Sequence, residues 1–139
     1  MVNSATPYIV ILSAERSNKT AAENRARTAR MAWGLTYLVH FKDIEKFTDS
    51  LGMYEGVSEA SYVVHCSNIA SVLYMADLAR EYNQDSILVL SPSTLEGRPA
   101  ELVYLNECRS ENIGTFKKAP ADYNGDAYTI IDGVKYTCE

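Results

Sequence analysis

Apolar and polar residues alternate in blocks along the chain, and the block lengths predict the elements. Tyr8-Ile9-Val10-Ile11-Leu12 is apolar at every position, the pattern of a strand buried on both faces. The polar loop Ser13-Ala14-Glu15-Arg16-Ser17-Asn18 follows. Thr20-Ala21-Ala22-Glu23 then matches a capping box, in which two side chains satisfy backbone N–H groups that a helix start leaves unpaired. The spacing predicts a helix from Ala21 to about Trp33, with Ala22, Ala26, Ala29 and Trp33 on its inner face.

Between Gly34 and Ser58 the pattern weakens. Leu38-Val39-His40-Phe41 suits a short strand or a helical extension, and Gly52 and Gly56 mark an irregular segment. Ser61-Tyr62-Val63-Val64-His65-Cys66 reads as a second strand, with Ser67 placed to cap a helix running to Tyr82. Ile69, Val72, Leu73, Ala76 and Ala79 supply the buried face of that helix. Ser86-Ile87-Leu88-Val89-Leu90 is another apolar strand, and Glu101-Leu102-Val103-Tyr104-Leu105 follows a loop around Gly97 and Pro99. A final hairpin pairs Tyr128–Ile131 with Val134–Thr137 across Asp132-Gly133, residues that tolerate the positive φ of a type I′ turn. The order predicts one α/β domain over residues 1–139. Its expected form is a ferredoxin-like two-layer sandwich, a mixed sheet with two helices and an added C-terminal β-hairpin.

Charge narrows the partners. Thirteen basic against eighteen acidic side chains give a net charge of −5, which disfavours a phosphate-tracking surface and therefore nucleic acid. Such a protein tolerates a cationic small molecule better. Cys66, Cys108 and Cys138 are odd in number and widely spaced, so the expectation is reduced thiols in a cytoplasm, with no disulfide framework and no zinc site. The apolar run near the N-terminus is of strand length, so neither a signal peptide nor a membrane span is expected.

The sequence holds no P-loop, no G-x-G-x-x-G and no G-x-S-x-G. His40 and His65 have no partners at ligand spacing, and no metal is assigned. Two segments look more like a site than a scaffold, at strand ends where α/β sheets usually bind ligands. In the first, Ser13, Ala14, Glu15, Arg16 and Ser17 offer backbone groups and a guanidinium fork to a polar ligand; a plain turn with Arg16 in a surface pair fits as well. In the second, Gly52 to Glu59, glycines permit close approach, and Tyr54 with Glu59 suits a cation; a solvated connector is the alternative. Gln84 and Asp85 read as a helix end and turn that could also serve a ligand.

Taken in order, these segments resemble the phage S-adenosylmethionine lyases, formerly called hydrolases. The matching pieces are Ile11-Leu12-Ser13-Ala14-Glu15-Arg16-Ser17-Asn18, Tyr54 and Glu59, Cys66, Gln84-Asp85-Ser86-Ile87-Leu88-Val89 and Leu102-Val103-Tyr104. Only four residues separate Tyr54 from Glu59, where the family carries a longer loop. The resemblance implies cleavage of S-adenosylmethionine to methylthioadenosine and homoserine lactone without a metal or organic cofactor. It also implies a homotrimer with its site between subunits, acting in the host cell cytoplasm against restriction and methylation. In that setting Glu59 and Tyr54 are the expected catalytic residues, and Ser13 to Ser17, Gln84 and Asp85 bind substrate. The competing expectations are a non-catalytic phage binding module for a small metabolite or host enzyme, and a true hydrolase giving homoserine with Glu59 as base.

Overall fold

The computed structural model describes residues 8–92 and 97–139; residues 1–7, part of the N-terminal stretch in which no signal peptide is expected, lie outside them. The elements in chain order are β1 (Tyr8–Leu12), α1 (Ala21–His40), β2 (Lys46–Tyr54), β3 (Val57–Cys66) and α2 (Ile69–Glu81). β4 (Ser86–Leu90), β5 (Arg98–Tyr104), β6 (Arg109–Lys118), β7 (Ala127–Ile131) and β8 (Val134–Cys138) complete them. The strands pair in the order β1-β3-β2-β7-β8-β6-β5-β4, and β4 returns to β1, so the sheet closes into an antiparallel barrel.

This closure corrects the two-layer ferredoxin-like sandwich and its mixed sheet. Two strands made the difference. β2, KFTDSLGMY, and β6, RSENIGTFKK, are largely solvent-exposed, so neither shows the apolar run that marks the buried strands. β2 and β3 form a hairpin whose turn residues, Glu55 (φ 49°) and Gly56 (φ 81°), both take positive φ. A turn of this kind favours Asn, Asp or Gly at its first position, and glutamate there disguised it as irregular chain. The C-terminal turn is as expected, with Asp132 at φ 56° and Gly133 at φ 78°. Every ladder among the described strands is antiparallel.

Strands that read as apolar on both faces do bury both. Val10, Leu12, Tyr62, Val64, Cys66, Ile87 and Val89 pack outward against the helices, forming the larger core. Ile11, Val63, Leu90, Ala100 and Phe116 pack with one another in a second cluster within the barrel. The Cys66 thiol is pushed up to about 12 by burial, which keeps it protonated and unreactive.

The capping box is present: Thr20 Oγ1 accepts from Glu23 N at 3.1 Å, and Glu23 Oε1 accepts from Thr20 N at 2.9 Å. α1 runs on through His40, which settles the ambiguous stretch as helix. Its inner face differs from the expected alanine and tryptophan stripe. Met31, Leu35 and Leu38 are buried, whereas Ala22, Ala26 and Ala29 are exposed and Trp33 is 72% exposed. The bulkier i, i+4, i+7 set wins because it removes more apolar area from water than three alanines do. Met31→Ala is therefore expected to cost about 2–5 kcal/mol in urea unfolding, from lost transfer energy and the cavity it leaves.

α2 is capped by Asn68, whose Oδ1 accepts from Ser71 N at 3.0 Å; Ser67 instead donates to Glu45 at 3.1 Å. Ser71, Val72, Met75, Ala76 and Ala79 form its buried side, while Ile69 and Leu73 face outward.

Candidate active site

At one mouth of the barrel β1, β2 and β8 end while β3, β4 and β7 begin, and their ends surround a cavity of about 940 Å³. The β2–β3 hairpin builds one wall. Its register sets Gly52 opposite Glu59, Tyr54 opposite Val57 and Ser50 opposite Ser61, and alternate residues of a strand share a face. Tyr54, Glu59 and Ser61 thus point to the same side, and all three line the cavity. Gly52 leaves the space beside Glu59 open, since among the described residues a Cβ there would meet only the Glu59 carbonyl oxygen within 4 Å, at 3.7 Å. Deeper in, Phe116 and Tyr136 stack with ring centroids 5.2 Å apart, giving the cavity an aromatic wall.

The charge of the wall is one-sided. Glu55, Glu59 and Asp85 line the cavity, and no Lys, Arg or His is among its described lining residues. Glu59 is reached by solvent from the cavity, yet the surrounding protein raises its pKa above the ordinary glutamate value. Desolvation is the main cause and the charge of Glu15 the second, with the Ser13 hydroxyl acting the other way. A cation placed here relieves that strain by restoring the interactions that water would have supplied.

The loop after β1 is held by side chains on both sides. Arg27 Nε donates to the Ala14 carbonyl at 2.6 Å, and the same guanidinium reaches the Tyr82 carbonyl. Asn24 takes Arg16 N at 2.9 Å and donates to Arg16 O at 3.0 Å. Gln84 Nε2 donates to the Glu15 carbonyl at 3.0 Å. These bonds satisfy backbone groups that an irregular segment otherwise leaves to water.

Of the residues expected to bind substrate, Ser13, Gln84 and Asp85 line the cavity with Tyr54 and Glu59. Ala14, Glu15, Arg16 and Ser17 are not on its wall. Arg16 donates to the Asn83 carbonyl, and Ser17 is exposed. Asn24 and Arg27 are hidden from the sequence reading, which turns the alanines of α1 inward. The signal was present: they lie seven and four positions before Met31, on the face it sets.

A closed antiparallel barrel with an acidic, aromatic-walled cavity at one mouth has the shape and charge that suit a small cation. The S-adenosylmethionine lyase family model matches residues 10–139, and the chain belongs to that family. It is thus an enzyme of a family that cleaves S-adenosylmethionine. No curated protein matches the chain. No helix among the described residues is long and apolar enough to cross a membrane.

Proposed function

We propose that the chain converts S-adenosylmethionine to 5′-methylthioadenosine and L-homoserine lactone, with the substrate's own carboxylate as nucleophile. A carboxylate oxygen bonds to the γ-carbon, the γ-carbon to sulfur bond breaks, and its electron pair returns to sulfur. The sulfonium becomes a neutral thioether and the carboxylate becomes a lactone, while the ammonium is unchanged. Electron flow is complete within the substrate. The protein's part is to fold the methionyl chain into an attack geometry, an effect that can supply up to about 10 kcal/mol.

The observation that carries this reading is the one-sided charge of the cavity. Carboxylates draw in the cationic substrate and pair with its ammonium, and no described cation on the wall competes for the substrate carboxylate, which stays free to attack. An arginine there would form a bidentate pair with it and hold the nucleophile away. Both leaving and attacking groups lose charge together, so a cavity poorer in water than bulk favours the transition state. Glu59 takes the ammonium, Tyr54 packs along the methionyl chain, and Gln84, Asp85 and the Ser13 end of the loop border the rest.

The same proposal includes a homotrimer whose subunits meet at the site. In its support, Tyr54 and Val57 at the cavity rim are 64% and 69% exposed, and Trp33, Tyr37 and Phe41 present a further apolar face. Resemblance to phage enzymes supports a role in the host cytoplasm, where loss of the methyl donor blunts restriction and methylation. The test is to incubate purified protein, its assembly state measured by light scattering, with S-adenosylmethionine. The expected result is methylthioadenosine in large molar excess over protein, with lactone preceding homoserine. Stoichiometric retention of substrate without product would instead identify a binding module.

A further inference from the structure

β1 stops pairing with β3 at the Leu12–Tyr62 pair, and continuing that register would set Ala14 against Ala60. The chain has left the ladder by then. In place of a backbone partner, Ser13 Oγ donates to the Ala60 carbonyl at 2.7 Å, and Glu15 Oε1 accepts from the Ala60 N–H at 3.1 Å. Two side chains thus complete the edge of β3 where its neighbour has opened away. The N–H that Glu15 takes belongs to the peptide joining Glu59 to Ala60. Holding that peptide plane restrains the backbone from which the Glu59 side chain leaves.

Glu15 is itself held. Its N–H donates to Ser13 Oγ at 3.0 Å and its carbonyl accepts from Gln84 at 3.0 Å. A fixed loop, a fixed carboxylate and a fixed peptide therefore stand in sequence behind Glu59.

We propose that Glu15 is a positioning residue for Glu59, acting through the Ala60 N–H to aim the carboxylate that holds the substrate ammonium, and facing that carboxylate with its own charge. The inference rests on the reading of Glu59 given above. Ser13 and Glu15 from the loop after β1 act on Glu59 directly, while Tyr54 and Glu55 from β2 and its turn and Gln84 and Asp85 before β4 line the same cavity. β7 and β8 add the uncharged Thr129 and Tyr136.

The experiment compares Glu15→Gln with Glu15→Ala in the full chain, measuring kcat and KM for S-adenosylmethionine across pH together with Tm. Glutamine keeps an oxygen for the Ala60 N–H and removes the charge. It is expected to retain most of kcat at neutral pH while the acid limb of kcat/KM moves down by about 0.5 unit. Alanine removes both functions and is expected to lose about tenfold or more in kcat/KM, chiefly in kcat, because a misplaced group costs attack geometry. Wild-type kinetics and an unmoved acid limb in both variants overturn the proposal. So does a lower Tm in both with no change in the limb, the signature of a structural strap alone. If alanine unfolds the protein, the glutamine limb decides. Full activity in Glu59→Gln would instead remove the reading beneath, which separates the two failures.

Discussion

Glu59→Gln is expected to lose about 10²- to 10³-fold in kcat/KM and at the same time to melt at a higher temperature. The loss follows from the substrate's charges. The sulfonium loses its charge in the transition state, so a carboxylate paired with it would favour the ground state and slow the reaction. The ammonium keeps its charge throughout, so holding it there positions the chain without opposing the chemistry. On the proposed reading Glu59 serves catalysis through the ammonium, and glutamine, which lacks the charge, leaves the methionyl chain free to unfold.

The stability gain follows from linkage. Burial and Glu15 raise the Glu59 pKa, so the folded protein binds that proton more tightly than the unfolded chain does. The contribution favours folding below the unfolded pKa and is lost as pH rises through the raised folded value, leaving a strained carboxylate at neutral pH. Glutamine removes that strain. Calorimetry at pH 7.5 would show the rise in Tm, and the gap between variant and parent should close as pH is lowered towards about 4. In the parent, kcat/KM should fall as pH drops through the same raised pKa, since protonated Glu59 cannot pair with the ammonium. A Glu59→Gln variant with parental kcat/KM would sink the assignment whatever its Tm.

Most of the elements were legible in the chain, but the closure of the sheet was not. β1, β4 and the second half of β3 announce themselves because they are buried on both faces, and the capping box marks the start of α1; the exposed first residues of β3, Val57 to Glu59, do not. β2 and β6 do not, because half of a barrel wall that faces solvent need not be apolar, and their sequences carry Asp49, Lys46, Arg109 and Glu111. Without those two strands the remainder counts as a small open sheet. With them the edges vanish.

The site was legible in part for a related reason. Tyr54 and Glu59 stood out as an aromatic and a carboxylate near glycines, and the hairpin does bring them to one face. Arg16 stood out equally, as a guanidinium in a loop after a buried strand. Its side chain is directed to Asn83, because a clamped loop needs donors for its neighbours' carbonyls as much as a ligand needs them. Residue type alone does not separate those uses. The absence of cations from the described cavity lining is a property of the assembled barrel, since that lining is gathered from residues as distant as Ser13 and Cys138.

An analogue of S-adenosylmethionine that lacks the carboxylate, decarboxylated S-adenosylmethionine, is expected to bind and not be cleaved. Its sulfonium and amino group remain, so the acidic wall still attracts it, and it should compete with substrate at a Ki within about tenfold of KM. The attacking atom is gone. Intramolecular attack is worth an effective concentration of about 10⁵ M or more, and water supplied from solvent at the open mouth cannot replace it. Turnover should fall to the uncatalysed rate, measured as methylthioadenosine release. If Glu59 instead served as a base that activates water, the analogue would still be cleaved, because that route uses nothing from the missing group. Solvent labelled with ¹⁸O gives the complementary reading on the natural substrate. Lactone trapped early should carry no label, since both of its oxygens come from the substrate carboxylate, and label should enter only as the lactone later hydrolyses to homoserine. Cleavage of the analogue together with label in a hydroxyl group of the first product would convert the assignment from lyase to hydrolase.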